Sequence, residues 1–233
     1  RWNTSCWGRT VYDFDTIMLP TERNDDDKFF PAKQLDYQRF VTDTTEECFL
    51  NEANVLRRIT PDIPVFSNIS GFIKKLNQFQ LTRNMDIVGW DNYPSPKDDA
   101  AFPALKHDIM RGLKDGASYM VAEQSPNQQN WQPYNKLKRP GEVRLLAYQG
   151  IAHVADSSLY FQMRQSVGGQ EKFHGAVIGH DGREDARSFT ETAQVGLRLE
   201  ALAEITAVKR EKQAAIVHDW QNKWALEGSC GPR

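Results

Sequence analysis

Glu123 closes the run Tyr119-Met120-Val121-Ala122-Glu123-Gln124, so its carboxylate emerges from an apolar segment into a polar one. A carboxylate held rigidly at such a boundary is what covalent attack on the anomeric carbon of a sugar requires. The same spacing suits a structural Glu paired with an Arg, and spacing alone leaves both readings open. Glu171 and His174 lie in Gly168-Gly169-Gln170-Glu171-Lys172-Phe173-His174. A Glu-x-x-His pair can ligate metal, but dinuclear carboxylate sites need a second copy and further acids. The chain has no second copy, so no metal is expected. Hydrogen bonding to sugar hydroxyls suits the pair better, with a self-satisfied loop network as the plain alternative. Trp131, in Gln129-Asn130-Trp131-Gln132-Pro133, is either a platform for a sugar ring or a hydrophobic plug. Trp90 and Tyr93 flank another apolar run and carry the same ambiguity.

These residues need elements to position them. Residues 1–32 show no sustained period and read as a long loop or lid. Val41, Cys48, Val55 and Ile59 repeat at helical spacing, and Pro61 ends that stretch. Apolar runs ending at Asn68, Asp91 and Glu123 read as strands, as does Ser158 to Arg164. Helices are expected between them: around Phe72, Leu76 and Phe79, then through Leu105, Ile109 and Leu113 with Gly116 as cap, then from Pro140-Gly141 to about Val154. A helix through Val195, Leu199 and Leu202 follows, then a charged linker near Lys209 to Lys212 and a fifth strand from Ala214 to Asp219. Such alternation, with long crossovers, makes the class α/β with parallel strands. The first four strands each switch from apolar to polar or aromatic residues at their C-terminal ends. In (β/α)8 barrels those ends carry the chemistry, so the switch points to a barrel segment. An open doubly wound sheet would announce itself with a Gly-rich first turn, and none is present.

Length and composition narrow the class further. A chain of 233 residues can bury a substantial core. Its formal net charge of −2, with charges scattered, gives no case for nucleic acid or an anionic membrane surface. No apolar run approaches the ~18 to 20 residues of a membrane span. Cys6, Cys48 and Cys230 form no C-x-x-C pair, so neither a disulfide framework nor a zinc site is expected, and reduced thiols suit the cytoplasm. The chain opens on Arg1-Trp2 rather than Met and is expected to be part of something longer.

The ordered motifs Trp2-Asn3-Thr4-Ser5-Cys6-Trp7-Gly8, Trp90-Asp91-Asn92-Tyr93-Pro94, Glu123-Gln124-Ser125-Pro126, Asn130-Trp131-Gln132-Pro133, Lys138-Arg139-Pro140-Gly141, Phe161-Gln162-Met163-Arg164-Gln165-Ser166, Glu171-Lys172-Phe173-His174-Gly175-Ala176 and Asp219-Trp220 run nearly end to end. Through them the chain resembles glycoside hydrolase family 42, the bacterial β-galactosidases. The resemblance implies a partial (β/α)8 TIM barrel, about strands 5 to 8. Residues 1–206 would form the C-terminal half of the catalytic domain. Residues 207–233 would be a linker and the first strand of an α/β domain used in trimer assembly. It implies that Glu123 is the nucleophile of a retaining double displacement on terminal β-D-galactosides, at the end of the seventh barrel strand. It further implies that Trp131, Glu171 and His174 contact the galactose, that no cofactor is needed, and that the whole protein is a cytoplasmic bacterial homotrimer. The acid/base Glu and its preceding Asn would lie upstream of Arg1, leaving this stretch alone with little or no hydrolysis.

Three positions depart from the family pattern. Met163 stands where Trp is usual, Ala122 where Met is common and Lys223 where another Trp is usual. The first bears on the shape of one wall of the site. Asn51-Glu52 resembles the Asn-Glu pair that carries the acid/base in many barrel glycosidases, but it falls inside a helical stretch and reads as a solvated helix residue. A non-catalytic carbohydrate-binding protein on the same scaffold is the alternative, because it would keep Trp131 and His174 without an acid/base.

Overall fold

The computed structural model describes residues 11–18, 31–71, 73, 75–205 and 211–228. Most of the loop expected over residues 1–32 lies outside them, as do Phe72 and the Lys209-Arg210 part of the expected linker. Within the described part of that loop, Phe14–Thr16 make a single 3-10 turn capped by Asp13, whose carboxylate accepts from the Thr16 N–H at 3.0 Å.

Helix α1 spans Pro31–Ile59. Pro31 suits the first helical position because its missing N–H has no intrahelical partner there. The helix stops before Thr60-Pro61, since a residue preceding proline is pushed away from helical dihedrals. Four short strands follow, β1 Asn68–Ile69, β2 Gly89–Asp91, β3 Tyr119–Glu123 and β4 Ala155–Ser158. They pair parallel in the order β1-β2-β3-β4, so all four C-terminal ends lie on one side. Between them run α2 Gln78–Thr82, α3 Ala101–Gly112 and α4 Glu142–Ala152. Helix α3 is capped by Asp99, whose carboxylate accepts from the Ala101 and Phe102 N–H groups at 3.0 and 3.1 Å. The turn after it closes with Gly116 at φ +83°, a left-handed conformation that glycine adopts without a Cβ penalty. Helices α5 Arg187–Glu200 and α6 Trp220–Gly228 complete the fold.

Three expectations are corrected here. The first strand, expected to end at Asn68, begins there and runs only to Ile69; the stretch before it is irregular, with Ile63 exposed and the Val65 N–H taken by the Asp86 carboxylate at 2.7 Å. The fourth strand begins at Ala155 and ends at Ser158 instead of running from Ser158 to Arg164. Val154, at φ +76°, breaks α4 and starts the strand at once. The strand is set by pairing with Tyr119, Met120 and Val121 rather than by its own polar sequence. The apolar run after it is loop, with Leu159 and Met163 exposed, and Arg164 makes only an isolated bridge to Ile178. Residues 214–219 form no strand either. A short apolar run becomes a strand only where it pairs with a sheet edge. Here Ile216 and Val217 face solvent, and the chain turns directly into α6.

The core lies between the sheet and its helices. Ile69, Val88, Trp90, Met110, Leu113, Tyr119, Val121 and Ala155 pack together with Trp220 and Trp224 of α6. The Trp220 indole donates to the Ile73 carbonyl at 3.1 Å and meets the edge of Phe79 at 5.3 Å between centroids. Helix α6 thereby clasps the sheet to α1. Trp220→Ala should lower unfolding free energy by about 3–5 kcal/mol, the range for emptying a buried aromatic site. Val217→Ala, at a side chain 94% exposed, should change it by less than about 0.5 kcal/mol. Chemical denaturation of both variants checks the contrast.

Candidate active site

Strand period 2 sorts the residues at the end of β2. Trp90 and Asn92 turn toward α3, where both meet the fully buried His107. The Trp90 ring lies edge-on to it at 4.9 Å, and the Asn92 amide lies 3.5 Å from its Nε2. The His107 Nδ1 is 2.7 Å from the Tyr119 hydroxyl, and burial pushes the imidazole down to about 3, so it stays neutral. Trp90 is thus core, not a sugar platform. Asp91 and Tyr93 turn the other way, toward Glu123.

The pairing of β2 with β3 carries an irregularity at this point. Gly89 and Trp90 face Met120 and Val121, yet Asp91 faces Glu123 rather than Ala122. Slips of this kind re-aim side chains next to sites. The Asn92 N–H then donates to the Glu123 carbonyl at 2.7 Å, which fixes the backbone of the carboxylate residue. Its side chain is held from two sides. The Tyr93 hydroxyl donates to Oε2 at 2.8 Å, and the Asn68 amide at the start of β1 donates to Oε1 at 3.2 Å. The same Asn68 nitrogen donates to both Asp91 oxygens, at 3.1 and 3.0 Å. Among the described residues no Lys, Arg or His forms an ion pair with Glu123. The alternative of a structural Glu paired with an Arg therefore finds no support there.

Tyr93 is pushed upward from its ordinary phenol range by burial first, then by the hydrogen bond and charge of Glu123, and so remains a donor. Its ring meets Trp131 edge-on at 5.3 Å and His174 at 5.8 Å. Trp131 is 53% exposed and His174 only 1%. The His174 ring also meets Phe161 at 5.3 Å, its Nδ1 lies 3.0 Å from the Gly175 carbonyl, and its Nε2 is buried without a partner. A lone buried nitrogen at such a place is a natural anchor for a ligand hydroxyl. Glu171 is exposed at the rim, joined to His174 by a 2.9 Å backbone bond from the His174 N–H to its carbonyl, and its charge reaches Tyr93.

Both loops are tied to each other. The Gly175 N–H donates to the Gln128 carbonyl at 2.9 Å, and a Cβ on Gly175 would lie 2.9 Å from the Asn127 Cβ and the Gln128 nitrogen. The Gln128 and Asn130 amides donate to the Phe173 and Gln170 carbonyls, at 3.0 and 2.5 Å. Trp131 and His174 are placed together by this lacing.

The four sequence-derived site residues, Glu123, Trp131, Glu171 and His174, thus gather around Tyr93. Asn68 and Asp91 join them; both stood at strand ends in the sequence, and the apolar-to-polar switch was the signal that marked them. Glu52 lies on α1 as expected, exposed beside a cavity of about 290 Å³ whose lining includes Cys48, Phe66 and Leu81 but none of the Glu123 cluster. Among the described residues no three His, Cys, Asp or Glu side chains gather as a metal site would need, and no helix is long and apolar enough to cross a membrane.

A sequence profile of glycoside hydrolase family 42, described as beta-galactosidase, matches residues 1–202. The chain belongs to that family. Beta-galactosidase BgaP of a Planococcus species is 47% identical over 236 residues, spanning 99% of this chain and 35% of the relative. Beta-galactosidase bgaB of Geobacillus kaustophilus is 40% identical over 233 residues, spanning 100% of this chain and 34% of the relative. The crystal structure of beta-galactosidase from Bacillus circulans sp. alkalophilus is similar with a TM-score of 0.93 and 46% identity, over all of this chain and 35% of that one. The chain therefore spans about a third of the length of these relatives.

Burial raises the Asp91 carboxyl to about 6; the Asn68 amide opposes the shift and the Glu123 charge adds to it. The native state thus holds this proton more tightly than the unfolded chain. Ionisation begins to cost native stability above the ordinary value of 3.8 and does so fully above about 6. Asp91→Asn should therefore raise the melting temperature at neutral pH, with the advantage shrinking as pH falls through 6 and gone below 3.8. Paired thermal melts across that range check the sign.

Proposed function

We propose that the protein carrying this chain is a retaining β-galactosidase and that Glu123 is its nucleophile. The observation that carries this reading is a strand-end carboxylate held by two neutral donors, Asn68 and Tyr93, with no ion-paired cation among the described residues. In the first step a Glu123 oxygen bonds to the anomeric carbon of a terminal β-galactosyl unit, and the bond to the leaving oxygen breaks. A second Glu, from the part of the relatives' length that this chain does not span, protonates that oxygen. Water then attacks the galactosyl ester from the opposite face, gives its proton to the second Glu and releases Glu123. Retention sets the two carboxyl groups about 5–5.5 Å apart.

His174 and Glu171 take sugar hydroxyls in this reading, contacts that lower the barrier where they strengthen toward the transition state. Trp131 packs against the ring. Strands β1 to β4 are the fifth to eighth strands of a (β/α)8 barrel. Residues 1–206 form half of that domain, and residues 207–233 lead toward a further domain of a homotrimer.

Glu123→Gln in the intact protein should lower kcat by several orders of magnitude and leave the thermal melt unchanged. Azide should restore turnover to Glu123→Ala and yield the inverted galactosyl azide. A retained azide product would make Glu123 the acid/base and reverse the assignment. Residues 1–233 alone should turn over little or no aryl β-galactoside, and robust hydrolysis by that stretch would refute a proton donor located elsewhere.

A further inference from the structure

We propose that Asp91 is a positioning residue for Glu123, acting through the amide of Asn68. The proposal rests on the reading of Glu123 as nucleophile. Asn68 offers one NH2 group to three acceptor oxygens: the two of Asp91 at 3.1 and 3.0 Å, and Glu123 Oε1 at 3.2 Å. An amide nitrogen has two hydrogens, so one N–H is shared by the Asp91 carboxylate and the other is directed at Glu123. Asn68 is itself exposed and sits in a two-residue strand, so its own surroundings do little to fix the amide. Asp91 does fix it. A carboxylate only accepts, so it admits the nitrogen end and turns the amide oxygen away from Glu123. Without Asp91 the amide can rotate and present its oxygen to Glu123, or leave it.

A second carboxylate in this place is otherwise hard to explain. Asp91 is 9% exposed, and the groups facing it are Asn68 from β1, Glu123 from β3 and Tyr93 from just beyond its own strand. None is a cation, and the only side chains that shift its carboxyl among the described residues are Asn68 and Glu123. Two neighbouring carboxylates without a positive partner disfavour ionisation of each other. Burial and the Glu123 charge raise the Asp91 carboxyl to about 6, the expected mark of that conflict. An Asn at position 91 would pack as well with less strain on the fold. The local slip in pairing that brings Asp91 opposite Glu123 adds a backbone irregularity for the same end.

A double-mutant cycle in the intact protein tests this, with an aryl β-galactoside at neutral pH and Asp91→Ala, Asn68→Ala and the pair. Each single variant should lower kcat by roughly 10- to 100-fold, the scale of a misplaced reacting group, with KM changed by less than about two-fold. Because Asp91 acts through Asn68, the double variant should be no slower than Asn68→Ala alone. Asp91→Asn, which keeps one acceptor, should recover part of the loss. It should also lose any activity step that accompanies Asp91 protonation near pH 6. A merely structural Asp91 would lower the melting temperature and leave kcat per folded molecule intact. Full kcat in Asp91→Ala, or effects that multiply in the double variant, would overturn the proposal. If Asp91→Ala does not fold, Asp91→Asn and its cycle with Asn68→Ala decide the matter by the same criteria. Glu123→Gln run alongside keeps the two readings apart: if it is active, the nucleophile reading fails; if it is dead while the Asp91 variants are normal, only the present inference fails.

Discussion

In the proposed role of nucleophile Glu123 has to stay anionic without being quenched, and that constraint accounts for how its neighbours are arranged. A bound Arg or Lys would hold the charge but also hold its lone pairs. Neutral donors stabilise it more gently, and in a half-dry site they must come from fixed positions. Here two come from neighbouring segments, Asn68 on β1 and Tyr93 just beyond β2, and converge on Glu123 of β3. Only parallel strands with their C-terminal ends on one side bring these residues together. The helices, with their core of Trp90, Met110, Tyr119, Trp220 and Trp224, exist in this segment to hold that register.

The same constraint explains the division between the two sides of β2. Trp90 and Asn92 are spent on the core, where neutral His107 locks them to α3 and Tyr119. Asp91 and Tyr93 are left for the site. His107 can serve there only because it stays uncharged; a cation in that layer would need a partner that Trp90 and Asn92 cannot supply. The polar network under the strand and the electrostatics above it are therefore two faces of one backbone segment.

Much of this was legible in the sequence, for physical reasons. Apolar runs that stop abruptly fit buried strands, so the strand ends at Asp91 and Glu123 are legible, whereas the run before Asn68 is irregular and β1 only begins at that residue. The helical repeat of α1 was strong enough to give its course and its stop before Pro61. Period 2 along Trp90-Asp91-Asn92-Tyr93 could in principle have separated core from site, but which face is which depends on α3. The slip that sets Asp91 opposite Glu123 is a property of pairing between strands and leaves no trace in either alone. Strand β4 was misplaced because its sequence, Ala155-Asp156-Ser157-Ser158, is polar and borrows its conformation from β3. The stretch 214–219 shows the converse: a short apolar run forms no strand where it pairs with no sheet edge and its Ile216 and Val217 stay exposed.

The groups around Glu123 also differ in what holds them. Asn68, Asp91 and Glu123 belong to strands, and their positions follow from the sheet. Trp131, Glu171 and His174 belong to loops after β3 and β4, laced together by Gln128, Asn130 and Gly175. Tyr93 touches both groups, donating to Glu123 and packing edge-on against Trp131 and His174. The carboxylate pair and the aromatic and imidazole groups beside it are therefore set by separate parts of the chain, with Tyr93 touching both. Loops can change length and side chains without disturbing a sheet. Met163, exposed on the loop after β4, belongs to that part of the chain, apart from the strands that hold the carboxylate.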